Sequence, residues 1–476
     1  MNKFKLLIYA LMLFAGTLRA QQKYWIYLKD KTASVEDIRN TANAFGTTPI
    51  VISDWLKAYS SNLSYEQINS LKLNAAIAGI SAVRSHIITH GSIIEPFQIH
   101  KSLDQIKADT LIQMGINGKG IKIGIIDAGF LNADKNRYLK KAIEQGQVKG
   151  YKNYIDPELV NPFEGTSLNN DNHGTEVFQF IAGNSIEMTT GLATEATYYL
   201  ARTDRSESEY HAEEDYWIAA LEWMYSEGVR LVNSSLGYSD GFDTPDTDYL
   251  PENVDGKFSA ITRATDIAIN DKGMTIVLSA GNDGNKDFKI ISIPADAKGS
   301  IAVGSTGYRY WDRLDYSSIG PEHLKMVKPD FSCYASGGTS FSAPIITGLI
   351  ACMKQLKPGI TNSEIINLLA KSSHLYPHPN NYLGYGVPDV NKLLHLMADN
   401  DQKVWGSEQI QATDTLTIEL PKSYNIMSFH KKNSYIVLKQ EKLRWRDNKV
   451  TVEQFEGAKF TTVTNGNKVW EIEWVD

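Results

Sequence analysis

Gly337-Gly338-Thr339-Ser340-Phe341-Ser342-Ala343-Pro344-Ile345-Ile346-Thr347-Gly348 decides the reading of this chain, because it sets one hydroxyl at the mouth of an apolar helix. Two glycines let backbone approach closely, and the apolar run 343–353, broken only by small residues, predicts a helix packed on all faces. Pro344 is tolerated only in the first turn of that helix, where its missing N–H is not needed. Ser340 therefore sits at or just before a helix N-terminus, where free N–H groups and the positive end of the dipole favour a developing anion. This makes Ser340 the candidate nucleophile; the alternative is an ordinary serine in a glycine-rich turn.

Working outward, residues 118–388 alternate strands and helices. The run 121–126 is apolar but for Lys122 at its start and is bounded by glycine and Asp127, as expected of a central parallel strand covered on both faces. Residues 229–232, 274–278 and 301–303 read the same way, with helical spacing at 219–227 and 260–271 between them. The expected fold class is α/β, a doubly wound, mainly parallel sheet whose ligands lie beyond the strand C-termini. Ahead of it, residues 23–92 read as a small α+β unit. Ser34 with Asp37 and Ser64 with Gln67 are helix-capping pairs there. Behind it, from about residue 399, short alternating strands and an Asn465-Gly466 hairpin signal predict a small antiparallel β module, expected to be separable.

The domain expectation is thus 1–20, 21–104, 105–398 and 399–476. The first segment has Lys3 and Lys5, an apolar run at 6–16 and a small Ala20, the pattern of a cleavable secretory signal peptide. Secretion, to the periplasm, the cell surface or the medium, is expected, with no transmembrane segment. The chain's 476 residues, 42% of them hydrophobic, can bury a large core, and a net charge of -7 lacks the basic footprint of nucleic-acid binding. Its only cysteines, Cys333 and Cys352, read as two separately buried thiols, with a disulfide in an oxidising compartment as the alternative.

Two further segments carry chemistry. In Ile125-Ile126-Asp127-Ala128-Gly129-Phe130 a carboxylate follows a buried strand directly, where it can hold a histidine in one tautomer. The competing reading, the acid of a dinucleotide-binding domain, lacks a G-x-G-x-x-G after a strand. In Asp171-Asn172-His173-Gly174-Thr175-Glu176-Val177, His173 alone among ten histidines opens an apolar helix with a glycine beside it. His374 and His378 have a ligand-like spacing, but Pro377 breaks the helix that would align them.

These three segments resemble the subtilisin-like serine proteases, the subtilase family, in motif and in chain order. The landmarks Asn233-Ser234-Ser235-Leu236-Gly237, Ser279-Ala280-Gly281-Asn282-Asp283-Gly284 and Tyr316-Ser317-Ser318-Ile319-Gly320-Pro321 extend the resemblance over residues 117–394. It implies Ser340 as nucleophile, His173 as general base and then acid, and Asp127 as orienting carboxylate. It implies Asn282 as side-chain donor of the oxyanion hole, and Ser235, Leu236 and Gly237 as the strand edge that binds extended substrate. Ala280 and Gly281 would floor the primary pocket and favour a sizeable apolar side chain. The unit at 21–104 is similar to the family's propeptide, so the chain's own propeptide is an expected intramolecular inhibitor, besides peptide or protein substrates.

The chain departs from the family at Ala128, where a hydroxyl near Asp127 is missing, and at Phe178-Gln179-Phe180-Ile181 after His173. No cofactor is expected, because the loop 183–191 lacks the family's asparagine-rich calcium ligands, though calcium without a clear ligand set stays open; Asp240, Asp243, Asp246 and Asp248 read as a solvated acidic loop, with a metal loop as the alternative. The expectation is a secreted serine endopeptidase made as a self-processing zymogen. The alternative from another class is a catalytically inactive subtilase-fold scaffold that binds peptides or a partner protein.

Overall fold

The computed structural model describes residues 22–83, 96–165, 171–204, 213–239, 249–398, 406–421 and 425–475. The segment 1–20, read above as a signal peptide, and the acidic stretch 240–248 lie outside these. Two compact units divide the chain between Arg84 and Ser85.

The first unit is an antiparallel sheet, order β2-β3-β1-β4, of β1 (Gln22–Leu28), β2 (Val51–Ser53), β3 (Ala58–Leu63) and β4 (Ile77–Ala82). Its two helices, α1 (Val35–Ala44) and α2 (Tyr65–Lys72), start where the sequence indicates. Ser34 with Asp37 and Ser64 with Gln67 each form a reciprocal capping box. Ile26, Leu28, Ile38, Tyr59, Leu63 and Leu71 form its own core.

The second unit is built on β5 (Lys122–Asp127), β6 (Val148–Asn153), β7 (Thr197–Arg202), β8 (Leu231–Ser234), β9 (Thr275–Ser279), β10 (Ile301–Thr306) and β11 (Phe331–Tyr334). All seven pair in parallel in the order β11-β10-β9-β8-β5-β7-β6. β5 is central: from it the chain winds first towards β6 and β7, then towards β8 to β11. The reversal leaves a crevice beyond the C-terminal ends of β5 and β8, where such sheets hold their ligands. The helices α3 (His173–Ala182), α4 (Glu213–Ser226), α5 (Ala260–Asn270) and α6 (Ala343–Leu356) follow the crossovers. Every residue of α6 from Ala343 to Met353 is buried, and Pro344 lies in its first turn. Val177, Phe178, Phe180 and Ile181 of α3 join Ile345, Ile346, Leu349 and Ile350 of α6 and Ile123, Ile125, Leu231 and Val277 of the sheet in one core. Cys333 and Cys352 are separate buried thiols, each pushed up to about 12 by burial.

The module that follows holds β12 (Gly406–Ala412), β13 (Thr415–Glu419), β14 (Ile426–Lys431), β15 (Val437–Leu443), β16 (Lys449–Glu453), β17 (Phe460–Thr464) and β18 (Lys468–Trp474). Five strands pair in the order β12-β18-β17-β14-β15, and β13 pairs with β16. β17 and β18 form the antiparallel hairpin across Asn465-Gly466, while β12 joins β18 in parallel. Ile418, Ile426, Val452, Val463, Trp470 and Ile472 give the module a core.

That core is not the whole of its packing, which bears on the separability expected from sequence. Met427, Phe429 and Val437 of the module form a second buried cluster with Leu375 and Leu383 of the α/β domain. The texture change near residue 399 marks a change of architecture but not a free boundary, because residues 85–476 pack as one unit.

Candidate active site

β5 delivers Asp127 to the C-terminal edge of the sheet, in register with Arg202 of β7. Its Oδ1 accepts the N–H of Ala128 at 2.9 Å and lies 2.6 Å from His173 Nδ1, with both side chains fully buried. A carboxylate only accepts, so Nδ1 carries the proton, and the neutral ring keeps a lone pair on Nε2. Gly174 makes this approach feasible: a Cβ there would stand 2.9 Å from Asp127 Cβ and 2.5 Å from the Gly129 carbonyl. Asp127 Oδ2 is buried and has no hydrogen-bond partner.

Burial disfavours the imidazolium, but the charge and hydrogen bond of Asp127, with smaller contributions from Glu176 and Asp204, outweigh it. The net effect holds His173 above its ordinary pKa. Glu176, almost one turn further along α3, is pushed up to about 7 by burial, with His173 pulling it down and Asp127 pushing it up. Asp204, just past β7, is raised to about 6 by burial, offset in part by its hydrogen bond with Glu213.

Ser340 lies in a single turn of 3-10 helix, Thr339–Phe341, between Gly338 and α6. Its hydroxyl donates to the Ser235 carbonyl at 3.2 Å, and the Ser235 hydroxyl donates to the Ser340 carbonyl at 2.8 Å. No hydrogen bond joins Ser340 to His173, whose buried Nε2 has no partner. The two are nonetheless neighbours: the ring of Phe341 lies 5.6 Å from that of His173, and Phe180 stacks on Phe341 at 5.3 Å. Catalytic hydrogen bonds are often long or misaligned before substrate binds.

Asn282 follows β9. Its Oδ1 accepts both the N–H and the hydroxyl of Thr339, at 2.9 and 3.1 Å, and the same hydroxyl accepts the Gly281 N–H at 3.1 Å. With the oxygen committed, the carboxamide nitrogen is the group left to donate beside Ser340. Ser235, Leu236 and Gly237 continue from β8. Gly237 and Gly281 both close on Ser292: a Cβ would meet its hydroxyl at 2.1 Å from the former and 3.2 Å from the latter. Ala280 accepts the Ser292 N–H through its carbonyl at 3.0 Å.

Contacts thus link Asp127 to His173, His173 to the turn of Ser340 through Phe341, and that turn to Ser235, Gly281 and Asn282, with Leu236, Gly237 and Ala280 adjoining these in sequence. Sequence reasoning missed several of their supports. Thr339 orients Asn282. Asn233 donates to the Ser235 hydroxyl at 3.1 Å and accepts from Thr347 of α6 at 2.8 Å, tying the strand edge to the helix behind Ser340. Asn233 and Thr339 stand inside the quoted motifs, so proximity in sequence was the available signal. Glu176 likewise stands inside the quoted histidine motif, whereas Ser292 and Asp204 carried no such signal.

A profile of the subtilase family matches residues 118–386, more than half of the chain. The chain belongs to the subtilase family, and its class is that of a subtilase-fold serine protease. It is 27% identical to subtilisin DY of Bacillus licheniformis over 283 residues, 56% of this chain and 89% of that protein. It is 24% identical to alkaline elastase YaB of Bacillus sp. (strain YaB) over 335 residues, 67% of this chain and 75% of the relative. Among solved structures, the epidermin leader peptide processing serine protease of Staphylococcus aureus aligns with a TM-score of 0.57 at 17% identity, covering 79% of this chain and 98% of that one. Fervidolysin of Fervidobacterium pennivorans, a keratinolytic enzyme related to subtilisin, aligns at 0.56 and 16% identity, over 94% and 71%.

Proposed function

We propose that this chain is a secreted serine endopeptidase, made as a zymogen that processes itself. Ser340 attacks the scissile carbonyl, His173 Nε2 takes its proton and returns it to the leaving amine, and Asp127 holds the ring and stabilises the imidazolium. The Asn282 carboxamide and the Ser340 N–H receive the oxyanion, and water then resolves the acyl-enzyme. Substrate lies extended along Ser235, Leu236 and Gly237, with its side chain in the pocket floored by Ala280 and Gly281. Residues 21–104 act as the propeptide and inhibitor, and residues 1–20 direct export.

The observation that carries this reading is the buried 2.6 Å Asp127–His173 pair with an unpartnered Nε2 beside the turn of Ser340. A second reading, an inactive peptide-binding scaffold, draws on the Ser340 hydroxyl pointing to Ser235 rather than to His173. Purified, refolded wild type and Ser340→Ala decide between them. The wild type should split into propeptide and enzyme fragments, the larger starting between His90 and Ala108, and should react with a fluorophosphonate probe; Ser340→Ala should stay one uncut, unlabelled chain. Identical processing with no labelling of either protein would favour the scaffold.

A further inference from the structure

We infer that the C-terminal β module braces the oxyanion loop, with Gln440 and Asn381 as positioning residues for the Asn282 donor. This rests on the protease reading above. Residues 281–284, around Asn282, hang on the neighbouring segment 316–318. The Ser318 N–H donates to the Gly281 carbonyl at 3.1 Å, the Asp283 N–H to the Ser318 hydroxyl at 3.0 Å, and the Gly284 N–H to the Tyr316 carbonyl at 2.9 Å. No helix or named strand covers 314–320 apart from a single bridge at Ile319. Bonds from the α/β domain hold it on one side, Leu314 N–H to the Ser305 carbonyl at 3.2 Å, Ser305 N–H to the Ser317 hydroxyl at 2.9 Å and Ile319 N–H to the Lys289 carbonyl at 3.0 Å. The module adds two further points from behind.

At the first point one carboxamide of β15 holds both backbone groups of Arg313: Gln440 Oε1 accepts the Arg313 N–H at 3.0 Å, and Gln440 Nε2 donates to the Arg313 carbonyl at 3.1 Å. The Arg313 guanidinium then donates to the carbonyls of Leu314, Asp315 and Ser317, at 3.2, 2.9 and 2.5 Å. It lies so close to the oxyanion loop that a Cβ on Gly284 would stand 2.6 Å from its Nη1. At the second point Asn381 uses all four of its polar groups. Its carbonyl accepts the Gly320 N–H and its Nδ2 donates to the Gly320 carbonyl, both at 2.9 Å. On the other side its N–H donates to the Tyr435 carbonyl at 2.8 Å and its Oδ1 accepts the Val437 N–H at 2.9 Å. Gly320 and the module are thereby joined through one side chain.

An oxyanion donor stabilises the transition state only if it is already in place when charge develops, within a few tenths of an ångström. Thr339 fixes the oxygen of the Asn282 carboxamide; the relay through Gln440, Arg313 and Asn381 fixes the backbone that carries it. If the module were only adhesive, loosening it would lower stability and leave the chemical step alone.

The test measures kcat and KM on a chromogenic peptide for the full chain carrying Gln440→Ala or Asn381→Asp, each in the Asn282 and Asn282→Leu backgrounds, with thermal unfolding alongside. Asn381→Asp keeps the acceptor for Val437 and removes the donor to Gly320, so it serves should Gln440→Ala fail to fold. Each variant is expected to lower kcat about tenfold with KM unchanged. The loss should vanish in the Asn282→Leu background, where no donor remains to be misplaced. An equal loss in both backgrounds, a change in KM alone, or an unchanged kcat would overturn the brace while leaving the protease reading intact. A wild type that neither cleaves peptides nor reacts with a fluorophosphonate overturns both.

Discussion

Ser340 and Ser235 exchange hydrogen bonds, each hydroxyl donating to the other's carbonyl, at 3.2 and 2.8 Å. The turn of Ser340, the proposed nucleophile, is therefore anchored to the strand edge proposed to receive substrate. Under that proposal, a peptide adding to the edge would compete for the Ser235 carbonyl and free the Ser340 hydroxyl to turn towards His173. Ser235→Ala removes one of the two bonds and leaves the backbone edge. We expect kcat to fall about three- to tenfold, the cost of one modest hydrogen bond, with little change in KM. Unchanged turnover would show that the bond does not position the turn.

Asn282→Leu keeps the size of the side chain and deletes its donor. Turnover should drop by about a hundred- to a thousand-fold at nearly constant KM, the cost known for losing the equivalent donor in subtilisin, a relative of this chain. A mutant with normal kcat would remove Asn282 from the site.

The general base must be neutral to work, and His173 is held above its ordinary value of 6.5. Activity should therefore be lost as pH falls through a pKa higher than that of a free histidine. Glu176 is one of the charges that raises it. Glu176→Gln should move the acidic limb of kcat/KM to lower pH, leaving the variant relatively more active in mild acid. A limb that stays in place in a full pH–rate profile would exclude Glu176 from the field at the histidine.

Truncation after Ala398 uncovers Leu375 and Leu383, both fully buried, and strips Asn381 of its partners in the module. Re-exposing each leucine costs about 1.5–3 kcal/mol, a large share of the roughly 5–15 kcal/mol that holds a domain folded. The shortened chain should be poorly soluble or unfold well below the full chain. Soluble yield and thermal unfolding measure this; a truncated protein of undiminished stability would restore the separable module.

Ser292 stands between Gly237 and Gly281 with a buried hydroxyl that has no partner. Ser292→Gly should enlarge the proposed primary pocket and raise the preference for large apolar residues in peptide-library cleavage. An unaltered profile would place that pocket elsewhere.

Much of the sheet was legible because strands covered on both faces must be apolar throughout, as Ile123, Ile125 and Ile126 of β5 are. β6, half-exposed with the sequence VKGYKN, gave no such signal. β3 and β14 were hidden differently: Ser60 and Ser61, and His430 with Lys431, are buried polar residues. Ser60 and Ser61 hydrogen-bond to backbone, His430 to Thr461, and Lys431 pairs with Glu471 at 2.7 Å. Burial of His430 and Lys431 depends on partners far along the chain, and that of Ser60 and Ser61 on the facing loop and β2. In the site, Asp127, His173 and Ser340 were legible from local motifs. The direction of the Ser340 hydroxyl and the roles of Thr339 and Gln440 are relations across the fold, which no local pattern encodes.

β5 pairs with β7 and β8 rather than with the strand that follows it. Contacts between distant parts of a chain form slowly, because a long loop must close before any bond rewards it. In the N-terminal unit β1 likewise pairs with β3 and β4 rather than with β2, but all four strands lie within residues 22–82, so its loops are short. The central sheet waits for much later residues, and the clamps on Arg313 and Asn381 wait for nearly the last ones. The brace proposed for residues 281–284 therefore becomes available only after residues 435–440 have been made, later than any pairing of the seven-stranded sheet.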